Sequence, residues 1–209
     1  MLKIPDLQEA EAIFKEAGEL NPGDWIKHSR YVAVAARLIS SRCPDMDEEA
    51  SYILGLLHDI GRYLGTNGLK HIIEGYRFLS GKGYDDCARI CMTHSFPYKD
   101  INSVYGQWNC SREETAEIEA YITRIEYDEY DKLIQLCDSL ALPSGFCLLE
   151  KRFVNTAIKS GINSLIVLKW KAVLDIKRRF DLKAGCPIYG LLPDVVKNTF
   201  EAGLQQSAG

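Results

Sequence analysis

The side chains of this 209-residue chain best suited to chemistry are its four histidines and two aspartates that stand among apolar residues. Read at helical spacing, each of them projects from the apolar face of its helix rather than from the polar face. They are His28, His58, Asp59, His71, His94 and Asp138. Imidazole nitrogens and carboxylate oxygens are ligands of divalent transition metals, so the pattern predicts a metal site in the interior.

A structural interpretation of the same residues has to be weighed against the metal site. A single histidine on an apolar stripe is usually a hydrogen-bonded core residue, and one buried aspartate can cap a neighbouring helix. Burying two carboxylates without a partner charge, however, costs roughly several kcal/mol each. The stripes that carry Asp59 and Asp138 contain no lysine or arginine to neutralise them. A divalent cation would neutralise both carboxylates and bind the imidazoles as well.

The adjacent pair His58-Asp59 limits how such a site can be built. Neighbours on a helix diverge by about 100°, so the two side chains cannot share one direction. Either one metal lies at the flank between them, or Asp59 bridges two metals, with His58 on one side and His71 and His94 on the other. The spacing leaves both arrangements open.

The elements that must position these residues are helices. Apolar residues recur at helical intervals almost throughout, without an alternating strand pattern or an internal repeat, so we predict an all-α fold. Turn signals and two capping boxes, Asp45 with Glu48 and Ser111 with Glu114, divide the chain. The predicted helices span about 7–20, 24–41, 46–63, 69–80, 84–94, a segment from 111, 128–142, 147–160, 164–181 and a short stretch after Pro193. Residues 95–110 predict a loop of a length typical of lids and binding loops.

Composition and charge exclude several classes of protein. The net charge is −4 with 46% hydrophobic and 26% charged residues, a globular balance without the positive field that holds a nucleic-acid backbone. The N-terminal residues lack the pattern of a secretory signal, and no apolar run reaches the roughly 20 residues of a membrane span. Seven cysteines without a C-x-x-C pair indicate reduced thiols. We expect a cytoplasmic protein that binds neither nucleic acid nor membrane.

Three segments resemble the HD superfamily of metal-dependent phosphohydrolases. They are the opening histidine of WIKHSRYVAVAARLI, the segment LLHDIGR, and LIQLCDSLA with its closing aspartate. In that family the corresponding residues bind one metal, which the resemblance places on His28, His58, Asp59 and Asp138. It implies a single HD-type helical bundle over 1–209, with a metal-binding core at about 24–142. Nothing familiar covers about 145–209, which we expect to form extra C-terminal helices that pack on the core.

Some branches of the superfamily hold a second metal through two further histidines, with the aspartate of the HD pair as the bridge. His71 and His94 stand where those branches have them, so the chain is similar to the binuclear cyclic-nucleotide and dinucleoside-polyphosphate hydrolases. The Gly-Tyr-Pro signature of the cyclic-di-GMP group is absent after His94, which makes cyclic-di-GMP an unexpected substrate. The resemblance implies two divalent transition metals, of which we favour Fe or Mn, although Zn, Ni and Co also suit such ligands.

The implied activity is hydrolysis of a nucleotide or a related small phosphorylated metabolite by metal-activated water, with Asp59 as the catalytic residue. Arg62 and Lys99 are candidates for binding the substrate phosphate. Arg62 could instead complement the dipole at a helix C-terminus, and Lys99 could be a solvated loop lysine.

Two other functions fit the same scaffold. One is an HD-type di-iron oxygenase, and the other is a non-catalytic, nucleotide-binding regulatory module that has kept its metal. The apolar segment SLIVLKWKAVL is compatible with a homodimer face as well as with a core helix.

Overall fold

The computed structural model describes residues 2–65, 68–105 and 108–201. Within them, ten α-helices and one short β-hairpin occur, which confirms the all-α fold class. The helices are α1 (Leu7–Leu20), α2 (Asp24–Ser40), α3 (Glu48–Leu57), α4 (Lys70–Gly81), α5 (Asp85–Thr93), α6 (Arg112–Arg124), α7 (Glu129–Leu140), α8 (Leu149–Ser160), α9 (Ile166–Ala184) and α10 (Val195–Glu201). Strands β1 (Ala141–Leu142) and β2 (Gly145–Phe146) pair in antiparallel fashion. Residues 106 and 107 of the predicted loop and the last eight residues of the predicted extension lie outside the described residues.

Most helix boundaries follow from local capping. The capping box of Ser111 and Glu114 is present at the start of α6, as predicted. The predicted pair of Asp45 and Glu48 is wrong, because the N-cap of α3 is Asp47, whose side chain accepts a hydrogen bond from the Ala50 amide at 2.6 Å. The predicted helix over 46–63 is also divided: α3 ends at Leu57, and a separate 3-10 turn covers Ile60–Leu64.

The centre of the bundle is the contact between α2, α3 and α7. The inner face of α2 consists of small and β-branched residues, among them Val32, Ala33 and Ala36, all fully buried. A Cβ on Gly55 of α3 would lie only 2.9 Å from Ala33 Cα, so glycine allows the two helix backbones to touch. This close approach brings the N-terminal half of α2 beside the C-terminal end of α3.

The C-terminal helices pack against the same core. Leu149 and Phe153 of α8, and Val173 and Phe180 of α9, belong to one buried hydrophobic cluster with the residues of α2 and α3. The segment SLIVLKWKAVL forms part of α9, which buries Val173 and leaves Val167 52% exposed. A homodimer through this outer face stays a prediction.

Two further expectations concern membranes and thiols. Among the described helices, none is both long enough and apolar enough to cross a bilayer. All seven cysteines are free thiols, and Cys43, Cys87, Cys91, Cys137 and Cys147 are buried.

Candidate metal centre

The six predicted ligands converge in one region of the bundle. They are supplied by α2 (His28), the two residues that follow α3 (His58, Asp59), the start of α4 (His71), the residue that follows α5 (His94) and α7 (Asp138). The four histidines and Asp59 are buried. The side chain of Asp138 is 26% exposed, so the group opens toward solvent on its side.

The first half of the group surrounds Asp138. Its Oδ1 atom lies 2.9 Å from His28 Nε2 and 4.0 Å from His58 Nε2. The potential ligand atoms of these three residues lie within 4.8 Å of one another, a separation that one metal ion can span.

The second half surrounds Asp59. Its Oδ1 atom lies 3.1 Å from His71 Nε2 and 3.6 Å from His94 Nε2, while its Oδ2 atom lies 3.9 Å from His58 Nε2. Asp59 therefore directs one carboxylate oxygen toward each half of the group. The potential ligand atoms of His58, Asp59 and His94 also lie within 4.8 Å of one another, so this geometry is compatible with both arrangements that the sequence left open.

Hydrogen bonds to the main chain fix the tautomer of three imidazoles. A carbonyl oxygen can only accept, so each Nδ1 that contacts one carries a proton and donates it. The donations run from His58 to Gly55 O at 2.7 Å, from His71 to Gly68 O at 2.7 Å and from His94 to Cys91 O at 2.9 Å. In the neutral ring, the opposite nitrogen Nε2 then presents a lone pair.

Burial decides the charge of these groups. It lowers the pKa of His58 and His71, and it lowers the pKa of His94 to about 4, so the three rings are neutral near pH 7. Burial acts to raise the pKa of Asp59, but the Arg62 guanidinium holds it well below its usual value. Asp59 is thus ionised.

Lone pairs of neutral imidazoles therefore face lone pairs of a carboxylate. Among the described residues, His58 Nε2 and Asp59 Oδ1 are both buried without a hydrogen-bond partner, and each such atom costs about 1–3 kcal/mol. Ligand atoms bound at about 2.1 Å to one ion lie roughly 3.0–3.4 Å apart, close to the distances around Asp59 Oδ1. The residues present fit divalent metal ions, which would satisfy both orphaned atoms.

We expect the metal-free protein to lose stability in acid before its carboxylates titrate. Because the pKa of His94 is about 4 in the fold and 6.5 ordinarily, the unfolded chain takes up the proton first as the pH falls. The free energy of unfolding should therefore decrease between about pH 6.5 and 4, by up to about 3 kcal/mol from His94, with His58 and His71 acting in the same direction. Urea unfolding of the chelator-treated protein across this range measures the slope, and His94→Gln should flatten it. A slope that His94→Gln leaves unchanged would contradict the assignment.

A glycine brings the second half of the group together. Gly61 follows the HD pair, and a Cβ there would lie 2.1 Å from His71 O and 2.5 Å from Gly75 N. Gly75 in turn lies so close to α5 that its own Cβ would be 2.9 Å from Cys91 Sγ. These close approaches set the distance of His71 from Asp59.

A buried polar network holds α5 against α7. Thr93 Oγ1 donates to Asp131 Oδ1 at 2.7 Å, and Gln135 Nε2 donates to Thr93 O at 3.0 Å. Arg89 adds an ion pair to Asp131. Since Thr93 precedes His94 along the chain and Gln135 precedes Asp138 by one turn, the network fixes the two halves relative to each other. The sequence interpretation missed it, because Asp131 reads only as part of a helix cap.

Arg62 lies at the site. Its Nε atom donates to Asp59 Oδ2 at 2.5 Å, and its side chain lines the adjoining cavity. The expectation that no cation neutralises Asp59 is therefore wrong: Arg62, three residues further along, does so. The Nη2 atom of the same guanidinium lies 3.5 Å from His71 Nε2.

Lys99 does not reach the site. Its ammonium donates to Ile125 O at 2.5 Å and lies 4.8 Å from the centre of the Tyr127 ring. The structure thus gives no support to its predicted role in binding phosphate. A different lysine, Lys169 of α9, lines the cavity instead.

Five of the six predicted ligands, all except His58, form part of the wall of a cavity of about 860 Å³. Another part of the wall comes from α8 and α9, through Arg152, Asn155, Thr156, Lys159 and Lys169. The sequence interpretation did not single out these residues. A lysine within the apolar run LIVLKW was the available signal for Lys169, whereas α8 shows no pattern that sets Arg152 apart.

One comparison with known proteins identifies a family. The family model described as HD domain matches residues 25–142, which is more than half of the chain and includes all six predicted ligands. Helices α8, α9 and α10 lie beyond the matched range. No curated protein and no solved structure shows significant similarity to the chain.

Proposed function

The chain belongs to the HD domain family, and we propose on that basis that it is a metal-dependent phosphohydrolase acting on a nucleotide or a related small phosphorylated metabolite. One observation supports this most strongly: neutral imidazoles direct their lone pairs at the buried, ionised carboxylate of Asp59, and two of the facing atoms, His58 Nε2 and Asp59 Oδ1, have no hydrogen-bond partner among the described residues. Such a site is built for cations.

The donor set suggests how two metals would be held. His28, His58 and Asp138 would hold one ion, and His71 and His94 the other, with one oxygen of Asp59 toward each. Imidazole with carboxylate suits Fe, Mn, Zn, Ni or Co better than Mg, and we favour Fe or Mn. When bound, the metals would supply an acidified water as nucleophile and neutralise charge on the phosphoryl oxygens.

The chain's own residues would bind and orient the phosphate. Asp138 marks the open side of the centre, where a phosphoryl group can enter. Arg62 is held in place by its ion pair with Asp59, and its remaining donors can contact a phosphate oxygen. A cavity of about 860 Å³ has room for a small metabolite of nucleotide size.

The test begins with elemental analysis of the protein as purified. Phosphate release is then measured with the metal found, using phenyl phosphate and a set of nucleotides, with Asp138→Asn as the inactive control. We expect release by the native protein and a loss of at least about a hundredfold in the variant. Oxygen consumption without phosphate release would favour the di-iron oxygenase, and tight nucleotide binding without turnover would favour the regulatory module. Either result would overturn the proposal.

A further inference from the structure

We propose that α8 and α9 provide a second anion-binding site in the same cavity, formed by Arg152, Lys159 and Lys169. The substrate would then carry a second anionic group in addition to the phosphate that is hydrolysed. This inference rests on the proposed function, because the first anionic group is the phosphate that would bind at the metal centre. It concerns helices that lie outside the residues matched by the HD family model.

The three cations occupy one side of two helices. Arg152 and Lys159 of α8 are separated by seven residues, or two helical turns, so they lie on the same face, with Thr156 between them. These three residues of α8 line the cavity, and so does Lys169 of α9. Arg152 is partly buried, and Lys159 is exposed at the rim.

These cations lack the partners that comparable residues of the chain have. Arg179 and Lys183 of α9 both pair with Glu129. Within the described part of the chain, by contrast, Arg152 and Lys159 form no ion pair, and Lys169 donates only to the main-chain oxygen of Ser95, at 2.9 Å. Asp24, Asp59 and Asp138 also line the cavity, but among the described residues none of them forms an ion pair with these three cations. Positive groups gathered on the α8 and α9 side of a cavity without paired carboxylates indicate an anionic ligand.

The electrostatics of Lys169 agree with this. Burial lowers its pKa to about 8, and the neighbouring Arg152 acts in the same direction, whereas Asp138 opposes the change. Lys169 therefore lies within electrostatic range of both the metal-binding carboxylate and the cation on α8. A bound anion would relieve the repulsion between Lys169 and Arg152.

The side of the cavity formed by α8 and α9 is held in position by aromatic residues. Trp170 stacks on Phe153, with ring centres 5.3 Å apart and planes at 7°, which joins α9 to α8. Trp170 Nε1 also donates to Tyr105 Oη at 2.5 Å, so both helices are tied to the loop after α5. Tyr105 lines the cavity, and its ring lies 5.2 Å from Lys169 Nζ. The proposed site is thus held by the contact between α8 and α9 and by the contact of α9 with the loop after α5.

Charge balance indicates what kind of substrate fits. The metals and Arg62 would meet the charge of the scissile phosphate. If the rest of the substrate were uncharged, Arg152 and Lys169 would face it without a counter-charge in a partly dehydrated cavity. A second phosphate or a carboxylate would form charge-assisted hydrogen bonds there.

Equilibrium binding tests the inference without depending on turnover. Calorimetric titrations of the metal-loaded protein compare an alkylphosphonate with alkane diphosphonates of increasing length and with matched carboxyalkyl phosphonates. We expect at least one doubly anionic probe to bind about tenfold more tightly than the alkylphosphonate. Arg152→Gln and Lys159→Gln should each remove much of that advantage, leaving the alkylphosphonate affinity and the metal content unchanged. Whether the diphosphonate or the carboxyalkyl series shows the advantage tells which anion the site prefers.

Matched controls separate a local site from a general charge effect. The first control is Lys151→Gln, because Lys151 lies on α8 next to Arg152 but does not line the cavity. The second is Arg178→Gln, which removes an exposed arginine of α9 that pairs with Asp175. Equal affinity for singly and doubly anionic probes, or equal losses in the control variants, would overturn the second site. Phenyl phosphate, which has one anionic group, tests the metal centre alone. Tight diphosphonate binding through Arg152, together with no phosphate release from phenyl phosphate or the nucleotides, would leave the second site standing while the proposed function fails.

Discussion

Asp59→Ala is expected to remove both metals and to lower phosphate release by at least about a thousandfold. Asp59 has one carboxylate oxygen 3.1 Å from His71 Nε2 and the other 3.9 Å from His58 Nε2, so its loss affects both halves of the centre. Alanine also leaves Arg62 without its ion-pair partner, directly beside the metal positions, where a free cation repels metal ions. No other carboxylate of the group contacts both halves.

Comparing Asp59→Ala with a variant that removes a ligand from only one half of the centre tests whether Asp59 serves both metals. Elemental analysis should find close to two transition metals per chain in the native protein, about one in His71→Ala and well below one in Asp59→Ala. Asp85→Ala, which removes an exposed carboxylate paired with Lys3, should retain both metals. Circular dichroism checks that each variant is folded. One metal per native chain, unaffected by His71→Ala, would reduce the centre to its mononuclear form and return His71 and His94 to the core.

The convergence of the six residues in one region of the bundle could be predicted from the sequence, because it depends on local patterns. Helical spacing alone placed six polar residues on apolar faces, and a helical bundle directs such faces to a common interior. The resemblance to the HD superfamily then supplied the order in which the ligands occur. The spacing is read within each helix separately, and the order of the motifs is read along the chain. Neither inference therefore requires the tertiary structure.

What failed depended on contacts between elements. Lys99 was chosen because it follows His94 along the chain, yet it turns to Ile125, while Lys169 reaches the cavity from a helix 75 residues away. The capping of α3 was assigned to Asp45, which in the structure lies 2.8 Å from Lys183. Side chains that act through tertiary contacts carry no periodic signal, so the sequence alone does not reveal the charged residues that α8 and α9 contribute to the cavity.

Gly61→Ala is expected to displace α4 and to abolish the second metal position while the fold persists. The added methyl group would overlap His71 O and Gly75 N, which are main-chain atoms and cannot rotate away as a flexible side chain could. Gly61 does not have a positive φ, so alanine is tolerated by its backbone and the effect is one of overlap alone. Overpacking of this kind costs about 1–3 kcal/mol, and here we expect at least the upper end.

Denaturant unfolding and metal analysis together test the Gly61 prediction. The variant should lose about 3 kcal/mol in the free energy of unfolding and about one metal, because α4 must move away from Asp59 and carry His71 with it. Gly81→Ala is the matched control: its Cβ would meet nothing within 4 Å, so it should be neutral or slightly stabilising. Native stability with full metal content in Gly61→Ala would mean that α4 does not pack this closely. Gly61 would then have no part in placing His71. A Gly61→Ala variant that loses both metals would instead show that the 3-10 turn at Ile60–Leu64 couples the two halves of the centre.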